Sequence, residues 1–257
     1  MNIQLFTQSI KDIAIGQGAD IIGIADLKLL EGIFTHPKNL LERYKYGISV
    51  AVSLEQHNGY DNTTEDKAFA CLEKIALNIE KYIQRQGYNG KIIPCDKRVR
   101  RDGALFWKGA ISHKAVAKTA GLGWIGKSML LITSNFGPRV CLITILTNMP
   151  LVPNQPEKNK CGNCKECIKS CPVNALVKVS FDDHPGKLEE AFNVSLCGPY
   201  IEKTWDRGNI CWSCVLACPF GKKQEDERAN CAETFGFLAS PLARSYIRHP
   251  VRRHCLV

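Results

Sequence analysis

The feature that most constrains this chain is a run of four cysteines closed by a proline. Cys161, Cys164, Cys167 and Cys171, followed by Pro172, read C-x2-C-x2-C-x3-C-P. A second run, Cys211, Cys214 and Cys218 with Pro219, repeats only its end, C-x2-C-x3-C-P, and Cys197 is the natural substitute for the cysteine it lacks. Three thiolates three residues apart on a tightly wound loop can grip three irons of one cube, whereas a fourth on the turn beyond points toward a neighbouring cube. The spacing therefore assigns Cys161, Cys164, Cys167 and Cys218 to one [4Fe-4S] cluster, and Cys171, Cys197, Cys211 and Cys214 to another. Across the four residues from Cys167 to Cys171 the Cα atoms can separate by at most about 14 Å, or about 6 Å if helical. Two such clusters would be close neighbours, suited to passing single electrons. Zinc is the alternative, but its all-cysteine sites are built mostly from two separated C-x2-C knuckles.

The run is the one that bacterial two-cluster ferredoxins use. Thirteen cysteines is an odd number, and 257 residues supply enough core to need no disulfide staples, so the thiols point to metal in a reducing compartment. The formal charge of +9 counts every thiol as neutral. Two oxidised clusters at roughly −2 each would reduce it to about +5, which makes the basic excess a weak pointer to nucleic acid. At 45% hydrophobic and 23% charged, the composition excludes a disordered or fibrous chain. No apolar run reaches the roughly 18 residues that a membrane span needs. Met1 to Gly18 carries Gln, Lys and Asp where a secretory signal would be apolar, so a cytoplasmic protein with no membrane partner is expected.

Short Ile- and Val-rich runs predict strands over 20–27, 47–54, 91–95 and 140–146. Ala68, Leu72, Ile75, Ile79, Tyr82 and Ile83 recur at three and four and predict a helix over 65–87, with Thr63 able to cap it and Gly87 to end it. Helices interleaved among strands argue for a sheet covered by helices. Three prolines among polar residues at 150–160 mark a connection. The chain is thereby divided into an α/β domain over 1–152, a double-cluster domain over 153–231 and a basic tail over 232–257. The second segment has few large aliphatic residues, so its fold is expected to depend on its metal. Cys71 and Cys141 read as small core residues; Cys95, Cys231 and Cys255 have no ligand spacing.

Gly121 to Ser128, GLGWIGKS, satisfies two phosphate-loop letter patterns. Both demand a strand before the glycines and a helix after them. Here 112–119 reads as helix and 129–133 as extended, the reverse order. The motif is expected to be a glycine-rich cap joining helix to sheet, with Trp124 packed on it.

Together, AKTAGLGWIGKS (117–128), RVCLITILTNMPL (139–151), the GADIIGIADL strand (18–27) and the unequal cysteine pair resemble the epoxyqueuosine reductase family. The resemblance implies an α+β fold: a nitroreductase-like, cobalamin-type α/β domain followed by a ferredoxin-like domain with two [4Fe-4S] clusters held by the eight cysteines above. It implies reduction of the epoxide of a modified tRNA base to an alkene, as a step of queuosine biosynthesis, with electrons reaching cobalt through the clusters from a ferredoxin- or flavodoxin-type donor of low potential. It also makes Trp124 and Lys127 candidates for contact with the corrinoid. Where the family carries its proton-donating Asp this chain has Trp107, which cannot supply that proton. Asp102, His113 and Lys114 are the nearest replacements, with His113 titrating nearest neutrality.

The chain also ends soon after the second cysteine run, where longer members carry helical repeats that hold tRNA. Two acceptors therefore stay open: tRNA, or a protein-bound corrinoid served by a stand-alone electron-transfer protein. Arg244, Arg248, Arg252 and Arg253 near the C-terminus would contact phosphates if they share a face, with a solvated terminus and a surface for an acidic electron donor as alternatives.

Overall fold

The computed structural model describes residues 2–57, 62–94, 99–101, 104–106, 109–177, 188–206 and 211–222. Its frame is a four-stranded antiparallel sheet of β1 (Ile21–Asp26), β2 (Tyr46–Ser53), β3 (Gly90–Ile93) and a long later strand (Val140–Thr147), in the order β1, β2, Val140–Thr147, β3. Between β3 and that last strand come the pair β4 (Val99–Arg101) and β5 (Ala104–Phe106), then the pair β6 (Trp124–Ile125) and β7 (Leu131–Ile132), which makes the long strand β8. Each predicted strand is present with ends moved by a residue or two. Cys95 lies outside the described residues.

Both faces of the sheet are covered, which explains why β2 and β8 read as unbroken apolar runs instead of alternating ones. On one face Ile48, Val50 and Val52 pair with Ile145, Ile143 and Cys141, and this surface packs against α1 (Ile3–Ile15) and α2 (Asn62–Arg85). Helix α2 presents Ala68, Leu72, Ile75, Ile79 and Ile83, all buried, as the periodicity predicts. It starts at Asn62, which puts Thr63 in its first turn. At the other end Gly87 takes φ +82, and the Tyr88 N–H returns to the Ile83 carbonyl. Helix α1, which the sequence leaves unassigned, is capped by Asn2 through the Leu5 N–H. Gln4, Gln8, Lys11 and Asp12 belong to this amphipathic helix.

Ala51, Leu142 and Leu146 face the other way, toward α3 (His113–Thr119). Gly23 in β1 permits this packing: a Cβ there would lie 2.1 Å from the Ala120 carbonyl oxygen. The connection at 150–160 has no regular element but is well bonded. Val152 N–H donates to Thr7 Oγ1, Ile24 N–H to Asn154 Oδ1, and Asn154 N–H to the Ile24 carbonyl. Beyond it come α4 (Glu166–Lys169), α5 (Leu188–Ala191), the longer α6 (Val194–Asp206) and α7 (Ser213–Leu216). This segment shares the apolar clusters of the sheet, with Trp212, Val215 and Cys218 joining the α1/α2 face and Cys167, Ile168, Leu176 and Phe192 the α3 face.

Gly23→Ala should cost about 1–3 kcal/mol by pushing α3 off the sheet. Leu77→Ala, at a position 49% exposed on α2, should stay within about 0.5 kcal/mol. Urea denaturation midpoints of the two variants test the contrast.

Candidate functional site

The two cysteine runs fold as copies of one turn. In the first, Cys167 lies in α4, the Ser170 N–H returns to the Glu166 carbonyl, and the Cys171 N–H to that of Ile168. In the second, Cys214 lies in α7, the Ala217 N–H returns to Ser213, and the Cys218 N–H to Val215. The copies are tied together by the Ser170 hydroxyl, 3.1 Å from the Cys167 carbonyl oxygen and 3.2 Å from that of Ser213. Short helices suit the task because the residue after each turn is carried away from the turn's own cysteine loop.

The electrostatics of the thiols follow from this packing. Burial pushes the Cys167 thiol up to about 11, with Cys161, Cys164 and Cys218 adding to the rise. Burial also raises Cys218, where Arg139 works in the opposite direction and Cys161 and Cys164 reinforce the shift. Cys197 is raised to about 11 by burial, then by Cys171 and Cys211. Cys214 rises to about 12 by burial, then through Cys211, Cys197, Cys167 and Cys171. Cys167 thus lies near Cys161, Cys164 and Cys218, and Cys214 near Cys211, Cys197, Cys167 and Cys171. Cys171 Sγ already accepts the Ala175 N–H at 3.2 Å. Among the described residues no three His, Cys, Asp or Glu side chains converge closely enough to hold a single metal ion. A cube gripped by one thiolate per iron spreads its ligands wider than a tetrahedral zinc does. None of the ten described cysteines is in a disulfide; Cys141 is buried and Cys71 is half-buried. Cys231, Cys255 and the four tail arginines lie outside the described residues.

GLGWIGKS sits between α3 and β7, so helix precedes strand as the sequence predicts. Its contacts extend beyond a cap. Lys127 Nζ donates to the Gly162 carbonyl at 2.5 Å and to that of Cys164 at 3.1 Å, and Asn159 Nδ2 donates to the Ile125 carbonyl. Trp124 is 1% exposed, meets the Phe220 ring edge-on at 4.9 Å, and has the Lys160 ammonium 5.0 Å from its centroid. Its indole N–H is buried with no hydrogen-bond partner among the described residues. Sequence reasoning missed Arg139. This side chain is 2% exposed, donates from Nη2 to the Phe220 carbonyl at 2.5 Å and from Nε to Glu55 at 3.2 Å. Its only sequence signal is a lone cation opening an apolar strand.

Of the proton-donor candidates, Asp102 and the Trp107 position lie outside the described residues. The His113 ring places Nδ1 2.8 Å from Thr144 Oγ1 and Nε2 3.4 Å from the Pro94 carbonyl oxygen. Burial lowers it to about 4 against the opposing pull of that carbonyl, so it is neutral at pH 7. Lys114 Nζ donates to the Met129 carbonyl at 2.6 Å; burial lowers it to about 8, with Cys214 acting in the opposite direction.

The fold is similar to those of two kinds of reductase of known structure. A reductive dehalogenase whose structure suggests a mechanism for B12-dependent dehalogenation superposes with a TM-score of 0.68 at 21% identity, over 90% of this chain and 34% of that one. An epoxyqueuosine reductase solved with an epoxyqueuosine-modified tRNA stem loop superposes with a TM-score of 0.59 at 20% identity, over 86% of this chain and 66% of that one. In sequence the chain is similar to the epoxyqueuosine reductase of Listeria monocytogenes, 34% identical over 126 residues, which are 44% of this chain and 31% of that protein. The chain thus spans about a third of that relative's length. No protein-family model matches it.

Because folding weakens the proton affinity of His113, the unfolded chain takes up the proton first as pH falls. Stability from this group is full above about 6.5 and is lost on the way down to about 4. Between pH 7 and 5 the wild type should lose up to about 2 kcal/mol that His113→Gln does not, the half-buried ring making this an upper value. Urea midpoints at the two pH values test it.

Proposed function

We propose that this chain is an oxidoreductase of the epoxyqueuosine reductase type, passing single electrons through two [4Fe-4S] clusters to an acceptor held against the α/β domain. The observation that carries the reading is the meeting of two thiol quartets at Cys167 and Cys214, on copies of one turn. Thiols such as Cys167, Cys197, Cys214 and Cys218, raised by burial, are poor thiolates on their own, and iron supplies the positive charge that makes them good ones. The donor set fits: Cys171 Sγ accepts the Ala175 N–H, and the buried Trp124 indole N–H, packed in the apolar cluster that includes Cys218, has no partner among the described residues.

In this reading Cys161, Cys164, Cys167 and Cys218 hold one cluster, and Cys171, Cys197, Cys211 and Cys214 the other. The clusters supply one-electron storage at low potential when bound. The chain's contribution is to keep the quartets adjacent, exclude water from Cys167 and Cys218, and direct N–H groups at sulfur. Domain limits near 152 and 231 accompany the reading, as do a cytoplasmic location and a ferredoxin- or flavodoxin-type donor. Among the described residues no helix is long and apolar enough to cross a membrane.

For the terminal step two acceptors remain. Likeness to epoxyqueuosine reductases supports the epoxide of a modified tRNA base, with a corrinoid in the α/β domain and His113 or Lys114 near the chemistry. A different observation favours an electron-transfer protein or a reductase for a corrinoid held elsewhere. Trp124 is enclosed and Lys127 bonds two carbonyls of the cysteine segment, which supports a role for both within this chain.

Protein purified without oxygen should carry about eight irons with matching sulfide, and Cys167→Ser and Cys214→Ser should each lower that to about four. A colourless preparation with two zincs would remove the reading. Cobalamin titration, read as a shift of the cobalt signal to a base-off form, together with restoration of queuosine in a strain lacking its reductase, separates the two acceptors.

A further inference from the structure

The GLGWIGKS turn leaves a question that neither a phosphate loop nor a helix cap answers: why a lysine at its end is bonded into the cysteine segment. Lys127 grips the carbonyls of Gly162 and Cys164, between and at two ligands of the first quartet. Arg139, from the start of β8, grips the carbonyl of Phe220, two residues beyond Cys218, the quartet's remote ligand. The two chain segments that build this quartet are far apart in sequence, one around Cys164 and the other around Cys218, and each is held to the α/β domain by one cation. The seam is built for close approach. A Cβ on Gly137 would lie 2.1 Å from the Phe220 carbonyl oxygen, one on Gly221 2.2 Å from the Phe136 carbonyl carbon, and one on Gly126 3.4 Å from Cys161 Sγ.

We propose that Lys127 and Arg139 are positioning residues that seat the Cys161, Cys164, Cys167 and Cys218 cluster on the α/β domain and, by their charge, make that cluster easier to reduce. The inference rests on the two-cluster reading. Reduction adds one electron from an external low-potential donor and no proton, so the site becomes more negative by one charge. A fixed cation beside it favours the reduced form, and more strongly where burial limits screening. The charge of Arg139 is shared with Glu55, whereas Lys127 has only neutral carbonyl partners among the described residues and is the stronger lever. Lys160 is exposed and shared with Glu157, and Lys114 is bonded to the Met129 carbonyl.

The test is a potentiometric titration of the whole chain, purified without oxygen and followed by electron paramagnetic resonance. Lys127→Gln, which keeps a donor for the carbonyls but removes the charge, should retain iron and sulfide and lower the potential of one cluster while leaving the other at its wild-type value. Lys127→Arg should return it toward wild type. Repeating the pair in Cys214→Ser protein, where only the first cluster is expected, identifies which cluster moves. Unchanged potentials, an equal fall in both, or a shift confined to the second cluster would overturn the inference. If Lys127→Gln sheds iron, the charge role requires Lys127→Arg to restore it, and failure to do so counts against the inference equally. Wild-type protein without iron would instead remove the cluster reading itself.

Discussion

Sulfur atoms crowded into a poorly solvated seam resist ionisation twice over, once because water is excluded and once because each thiolate would repel the next. Cys214 shows both effects, raised by burial and then by four neighbouring thiols. Everything in the second half of the chain answers that constraint. Short helices bring the cysteines together without a large apolar core of their own. The segment shares the apolar clusters of the sheet, and cations contact its carbonyls where a wholly apolar packing would leave the charge of a loaded site unopposed.

The sheet is the rigid partner in this arrangement. With both faces covered, β2 and β8 cannot shift register without moving every side chain to the opposite layer. Residue positions just before β8 and after α3 are therefore well defined, which suits Arg139 and Lys127 to holding something that has less structure of its own. Helix α3 lies close because β1 has a glycine where it crosses, and this proximity also brings Lys114 within range of Cys214.

Much of this was legible in the sequence, for identifiable reasons. Strands β1, β2 and β8 are apolar runs bounded by polar residues, and α2 repeats its buried positions at three and four, so local pattern and tertiary role coincide. The reversed order of helix and strand around GLGWIGKS could likewise be read from propensity. What could not be read was which surface the motif faces, because Trp124 and Lys127 meet residues 35 or more positions away and no periodicity encodes such a contact. Arg139 was invisible for the same reason: a single arginine before a strand looks like a solvated end until the distant Phe220 carbonyl is placed beside it. Helix α1 escaped because its polar face hid a short buried stripe of Thr7, Ile10 and Ala14.

Asn154 bears on how the protein behaves among its own copies. Strand β1 lies at the margin of the sheet, and an uncovered margin is a template for another molecule's backbone. By exchanging two bonds with Ile24, one through its side chain and one through its main chain, Asn154 imitates a rung of a fifth strand and then turns the polypeptide away. The proline-rich connection thus occupies the β1 edge at Ile24, where unpaired backbone would otherwise be open to another strand.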